Sequence, residues 1–322
     1  MTFRIQARLL AGFFILLFFT GCAHHATGLV SAGQIKQLDV PFIEQQDAYC
    51  GPSAVAMVMK MNHHPINVDA LAKEMLLPAK GGSLQIELKT AIRREGEIAY
   101  PVDSSMSGIR EAIDSGLPVI ALVNLSFNWW PKWHYVVVTG YDDQHGDVIV
   151  HSGKDANQHW SQTQFLNLWA RGGNWGLLVI PSDHDIPSFV EQDKYTRAAL
   201  DLEHSSGLAQ AAYAYHQIIH KWPQNVTVLV AMGNLAYEQH DLDNAQLWFR
   251  SAVKYHPDSV VALNDLAQVL VDQNQPKEAF ELAKKAVRLG GGDAALDTLH
   301  QALAKLVSSY QSAPGGMDLR EK

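Results

Sequence analysis

Gln45-Gln46-Asp47-Ala48-Tyr49-Cys50-Gly51-Pro52-Ser53 is the stretch on which the reading of this chain turns. An apolar run, Ala54 to Met59, follows it and predicts a buried helix over 50–61 that starts at the cysteine. Pro52 suits the first helical turn, where a backbone donor has no partner to lose. Amide dipoles at a helix N-terminus favour a thiolate and predict a lowered pKa for Cys50. Gln45, five residues upstream, is placed to donate an amide hydrogen bond to a developing oxyanion. A thiolate needs a base, and His134 opens the run His134-Tyr135-Val136-Val137-Val138-Thr139-Gly140-Tyr141. Three successive valines predict a core strand, which would hold the imidazole on a rigid element. A cysteine, a distant histidine on a strand and a glutamine just before the cysteine together point to nucleophilic thiol catalysis.

The first segment bears on where such chemistry would operate. Arg4 and Arg8 precede an apolar run from Leu9 to Phe19, broken only by Ala11 and Gly12. About ten apolar residues are too few to span a bilayer of roughly 30 Å, and the pattern is that of a signal peptide. Phe19-Thr20-Gly21-Cys22 resembles the bacterial lipobox, whose cysteine is acylated and becomes the new N-terminus; Phe19 stands where Leu is usual. The expectation is a signal peptide over 1–21, lipid on Cys22 and a tether over 22–36. By the same likeness, Ala23 rather than Asp after the cysteine points to the periplasmic face of the outer membrane, within the cell envelope. Cys50 would then be the sole free thiol in an oxidising compartment.

Composition narrows the field further. A length of 322 residues allows two domains, and 47% hydrophobic against 18% charged residues describes a globular chain. Acids outnumber bases 33 to 25, for a formal charge of −8, which argues against a nucleic-acid partner. Two cysteines exclude a disulfide scaffold and a four-cysteine zinc ribbon. The histidines His24, His25, His63, His64, His145, His151 and His159 show no ligand spacing such as H-E-x-x-H, so they are read as solvated loop residues, with no metal or cofactor expected. Gly81-Gly82-Ser83 is read as a helix-start turn rather than a phosphate loop. Trp129-Trp130-Pro131-Lys132-Trp133 precedes His134 and is either a substrate wall or a lid packed over the core.

Residues 37–182 read as one mixed domain. Its expected strands are 38–43, 118–124, 135–141, 148–151 and 176–180. Helices are expected over 68–77, 83–95 and 107–115. Residues 183–195, charged and Pro-containing, are expected to be a linker. From 196 to 305 the chain repeats: Pro223 and Pro257 are 34 apart, as are Ala211, Ala245 and Ala279, and Tyr215, Phe249 and Ala283. A 34-residue period with small residues at the helix crossing is the tetratricopeptide pattern, with about three repeats. Residues 306–322 are expected to form a loose tail.

Val40-Pro41-Phe42 through Cys50-Gly51-Pro52, with His134-Tyr135-Val136-Val137-Val138 and Gly140-Tyr141-Asp142, resembles the bacteriocin-processing cysteine peptidases, papain-like enzymes that cut after a double glycine in leader peptides. Closer still are exported lipoproteins of this type with a tetratricopeptide tail. The resemblance implies an α+β papain-like cysteine peptidase domain followed by an all-α tetratricopeptide repeat solenoid. It makes Cys50 the nucleophile, His134 the general base and Gln45 the oxyanion donor. In that family an Asp after the hairpin orients the histidine; here Ser152 stands in its place, and Asp155 lies three residues on. A symmetric hairpin about Gln144 would set Asp155 opposite His134.

The implied function is a lipid-anchored envelope cysteine peptidase acting on a peptide or protein, by hydrolysis or acyl transfer, with the repeats holding a partner or substrate. The alternative is a weak or inactive papain-like module that binds peptides and acts with the repeats as a scaffold; an inert Cys50 in a structural protein would make the motif coincidental. Leader processing is not expected to carry over, because peptidases of that family usually face the cytosol before a transporter, whereas the expected signal peptide would send this chain out.

Overall fold

The computed structural model describes residues 33–311 apart from Asp47. The expected signal segment, Cys22, most of the expected tether and residues 312–322 lie outside the described residues. The first domain runs β1 (Ile35–Gln37), α1 (Cys50–Met61), α2 (Val68–Met75), α3 (Gln85–Arg94), β2 (Ile98–Pro101), α4 (Met106–Asp114), β3 (Val119–Asn124), β4 (Trp133–Asp142), β5 (Asp147–Ser152), β6 (Asp155–Ser161), α5 (Gln162–Arg171) and β7 (Gly176–Ile180). The strands form one antiparallel sheet in the order β2-β7-β3-β4-β5-β6, with β1 pairing the far end of β4.

Both faces of this sheet are covered. Along β3 and β4, Ile120, Leu122, Tyr135 and Val137 face α1, α2 and α3, while Val119, Ala121, Val123, Val136 and Val138 face the layer that holds α4 and α5. Strict alternation between two buried layers explains why these strands read as unbroken apolar runs. The strand expected at 38–43 does not form. Pairing with β4 occurs instead at Ile35–Gln37, where Gly140 leaves room: a Cβ there would lie 2.2 Å from the Lys36 carbonyl oxygen. Pro41 then withholds a ladder donor from the following stretch.

The second part comprises α6 (Gln192–Ser206), α7 (Leu208–Lys221), α8 (Val226–Glu238), α9 (Leu242–Tyr255), α10 (Val260–Asp272), α11 (Pro276–Arg288) and α12 (Gly292–Gln311). Helices start at 192, 226 and 260, and their partners at 208, 242 and 276, a constant step that follows the sequence period. Ala211, Ala245 and Ala279 are fully buried at equivalent places. Gly233 shows why small residues recur: a Cβ there would sit 2.4 Å from the Phe249 ring. Gly233→Ala overpacks this crossing and is expected to cost about 1–3 kcal/mol. A urea midpoint that falls at unchanged slope would show it; an unmoved midpoint would contradict the packing.

Two expected boundaries need correction. Residues 183–195 are not a free linker: Ile186, Val190 and Tyr195 are buried, and α6 packs on β2 and α3. The Arg93 guanidinium meets Asp201, and Ser206 Oγ donates to the Arg93 carbonyl, so helix and sheet share one core. The charged side chains in this stretch mask its apolar anchors. The helix expected to end by 305 continues as α12 to Gln311, so the tail does not begin at 306.

Candidate active site

A cleft of about 1160 Å³ opens where the N-terminus of α1, the start of β4, the β5–β6 turn and the end of α5 converge. Cys50, Gln45, His134, Ser152 and Asp155 all line it. Cys50 is the first residue of α1, and the helix behind it, Ala54 to Met59, is wholly inaccessible to solvent. That packing fixes the sulfur but also desolvates it. Burial pushes the Cys50 thiol above its ordinary value, outweighing the nearby backbone amides of Tyr135, Gly51 and Cys50 that pull it down. The lowered thiol pKa expected from the helix terminus is therefore reversed.

His134, second residue of β4, sits opposite Val123 of β3. Burial, and then the Lys132 ammonium, hold its pKa down at about 4. The ring is therefore neutral at pH 7. Its Nε2 lies 3.1 Å from Ser152 Oγ. With Nε2–H donating to that hydroxyl, Nδ1 is left as the basic nitrogen. Among the described residues no hydrogen bond joins the Cys50 sulfur to the ring; thiol and imidazole rest as two neutral groups on one cleft.

Asp155 is brought to the cleft but not to His134. The chain does not continue β5 past Ser152. Gly153, at φ 62°, and Lys154 turn it back, so that Ser152 pairs with Asp155 across a tight turn. Asp155 is exposed there and accepts from Gln158 Nε2 at 3.3 Å. Ser152 is the buried member, and its carbonyl accepts from the same amide at 2.9 Å. The symmetric hairpin holds from Asp142 opposite Asp147 to Gly140 opposite Ile149; a bulge between Val138 and Gly140 then shifts the register by one residue, and the turn after Ser152 ends the pairing.

Gln45 departs from the free oxyanion donor that the sequence suggests. Its Nε2 donates to the carbonyls of Tyr135 at 3.1 Å and Cys50 at 3.3 Å, while Oε1 accepts from the Gly153 amide at 2.7 Å. The backbone amide of Gln45 also donates to the Gly153 carbonyl at 2.8 Å. One side chain thus fastens together α1, β4 and the turn that carries Ser152, and both its N–H groups are spent in doing so.

The aromatic loop before His134 is no lid over the core. Trp129 is 79% exposed, Trp130 71% and Phe127 61%, with Phe127 and Trp129 stacked at 5.7 Å. Pro131, Lys132 and Trp133 line the cleft. Asn124 Oδ1 braces the loop by accepting from the Ser126 and Lys132 amides, and Arg171 Nη1 donates to the Ser126 carbonyl at 2.8 Å. Neither Arg171 nor Gln158 is marked by any motif in the sequence; each lies in an element whose polar pattern hides it.

The reading of all the histidines as solvated also needs amendment. His151 is buried, with Nε2 on the Val40 carbonyl and Nδ1 accepting from the Asn157 amide. His64 pairs with buried Glu97. His24 and His25 lie outside the described residues.

Residues 37–176 match the family model described as Peptidase_C39 like family. Among solved structures, a putative C39-like peptidase from Bacillus anthracis is similar at 19% identity and a TM-score of 0.39, over 46% of this chain and 98% of that one. A double glycine motif protease from an AMS/PCAT transporter, solved in complex with the leader peptide, is similar at 18% identity and a TM-score of 0.35, over 46% and 99%. No curated protein matches the chain. The family match ends at the first residue of β7 and so covers most of the sheet domain and none of the helical region that follows it.

Proposed function

We propose that this chain is a lipid-anchored cysteine peptidase of the cell envelope, with Cys50 as nucleophile and His134 as general base. The observation that carries the reading is the placement of both side chains on one cleft, within the region that matches the peptidase family, with His134 Nε2 engaged by Ser152. Because both groups rest neutral, attack is coupled to proton transfer: His134 Nδ1 takes the thiol proton as the sulfur adds to the peptide carbonyl carbon. The oxyanion would meet the Cys50 amide at the helix N-terminus. The imidazolium then gives its proton to the departing amine. Water, or another amine, attacks the thioester and releases the acyl group. Gln45 serves this sequence by holding the frame.

The experiment is the rate of Cys50 alkylation by iodoacetamide against pH, for wild type and His134→Ala. Wild type is expected to gain reactivity as pH rises through about 4, where His134 loses its proton, and to gain again above pH 9 as the thiol itself ionises. His134→Ala keeps only the second rise. A single wild-type rise, complete below pH 9 with no second gain, would overturn the neutral pair. Identical profiles would overturn the dyad and favour the second reading, a weak peptide-binding scaffold, which the lack of a carboxylate on His134 among the described residues supports.

The remainder of the proposal follows the sequence. Residues 1–21 would be removed and Cys22 acylated, placing the body on the periplasmic face of the outer membrane; an N-terminal fragment from membranes without the added acyl mass would refute it. The helix pairs with a 34-residue step are read as tetratricopeptide repeats that bind a protein partner or present the substrate.

A further inference from the structure

The cleft is charged against the rest of the molecule. Acids outnumber bases in the chain by 33 to 25, yet the charged side chains among the described residues that line the cleft are Lys80, Lys132, Lys154 and Arg171 against Asp155 alone. These four cations do not sit on one edge. Lys80 stands before the Gly81-Gly82-Ser83 turn, Lys132 two residues before the catalytic His134, Lys154 on the turn after Ser152, and Arg171 at the end of α5. Among the described residues, no carboxylate lies within ion-pair distance of Lys80, Lys132 or Arg171. Lys154 meets only Glu44, at 3.8 Å, and both are largely exposed. Arg171 is held by the Ser126 and Asn167 carbonyls, which fix its guanidinium without neutralising it. Surface lysines that serve stability or solubility are interspersed with acids. Four cations on a concave site, three of them without a carboxylate partner among the described residues, instead attract a ligand of the opposite sign.

Resting on the peptidase reading above, we propose that the substrate is a peptide with acidic side chains beside the scissile bond, held between Lys132, Lys80, Lys154 and Arg171, with Trp133 forming an apolar wall. A volume of about 1160 Å³ exceeds the roughly 300–1,000 Å³ typical of small-molecule sites and accommodates several residues of an extended chain. Trp133 is 55% exposed, so a ligand side chain laid on it removes apolar surface from water.

The charge arrangement also bears on the step that Ser152 serves poorly. Ser152 bonds the His134 ring but brings no charge, and Lys132 opposes the imidazolium that forms when His134 takes the thiol proton. A substrate carboxylate seated on Lys132 offsets that opposition. The substrate would thus supply negative charge beside a ring to which Ser152 brings none. Acidic side chains are therefore expected to favour the chemical step as well as binding.

The test uses the full chain and three dansyl-labelled peptide series of identical backbone, in which the positions flanking the cut carry Glu, Gln or Lys. The Glu series is expected to be cut with kcat/KM about tenfold or more above the Gln series, an advantage that shrinks between about 0.05 and about 0.5 M salt. Lys132→Gln is expected to lose most of it. Equal rates for Glu and Gln, or faster cleavage of the Lys series, would overturn the inference and leave the peptidase reading intact. If no series is cut above the Cys50→Ala background, the peptidase reading fails. Fluorescence anisotropy of the same peptides on Cys50→Ala then decides the inference alone: a salt-sensitive preference for Glu sustains it, and no preference overturns it. Binding to phosphatidylglycerol vesicles with none of the peptides bound would also overturn it, since the cations and aromatics would then face a membrane.

Discussion

His134→Ala is expected to lower thiol-dependent peptide cleavage about 100- to 10,000-fold, the range for removing a positioned general base. The prediction is sharper here than for a resting ion pair. Where a thiolate pre-exists, a lost histidine leaves some nucleophile behind. In this cleft burial keeps the Cys50 thiol protonated well past neutrality, so the proton has nowhere else to go. The structural cost of the change should be small. His134 is near the exposed end of β4, and the ladder to β3 uses its backbone, not its ring. Cleavage at pH 7 by wild type, His134→Ala and Cys50→Ala, with folding checked by circular dichroism, tests it. Cleavage by His134→Ala within a few-fold of wild type would remove His134 from the mechanism.

Some of this site is legible in the sequence because its causes are local. Cys50 announces itself through Pro52 and six apolar residues that force a buried helix, and His134 through the valines after it. The repeat helices are legible because each small residue that recurs at 34 marks a crossing such as Gly233 against Phe249. The rest depends on contacts between segments far apart in the chain. Gln45 looks like a free donor until its amide is placed between carbonyls of α1 and β4, the latter 90 residues away. The fate of Asp155 rests on one positive φ at Gly153, which decides whether the chain extends β5 or turns into β6. Strand β6 itself, Asp-Ala-Asn-Gln-His-Trp-Ser, buries only Trp160 and carries no alternation to betray it. The thiol pKa escapes the sequence for a related reason: the helix terminus can be read from it, while the desolvation that outweighs the terminus is tertiary.

Ser152→Asp is expected to shift the resting balance of the cleft towards the ion pair. Ser152 is 6% exposed, and its Oγ lies 3.1 Å from His134 Nε2, so a carboxylate there would face the ring at close range with little water between. An opposite charge at such a distance raises a histidine pKa by about 1–3 units. His134 would move from about 4 towards its ordinary 6.5 or beyond, against the pull of burial and Lys132. A ring that better retains a proton makes a stronger base for the thiol, so the imidazolium–thiolate pair gains population at the expense of the neutral pair. Alkylation at pH 7 should rise about tenfold or more, one pKa unit being a factor of ten in that balance. The inflection near pH 4 should move upward with the histidine. The new carboxylate must itself lose water, which opposes the gain and would be seen as a lower melting temperature. Ser152→Asn separates charge from shape, since it offers a carbonyl acceptor to Nε2–H without a formal charge. If Asp and Asn act alike, the charge argument fails and orientation of the ring is all that the third position supplies. If Asp alone raises reactivity, the serine of the native chain sets the limit on its catalysis, which an acidic substrate would lift.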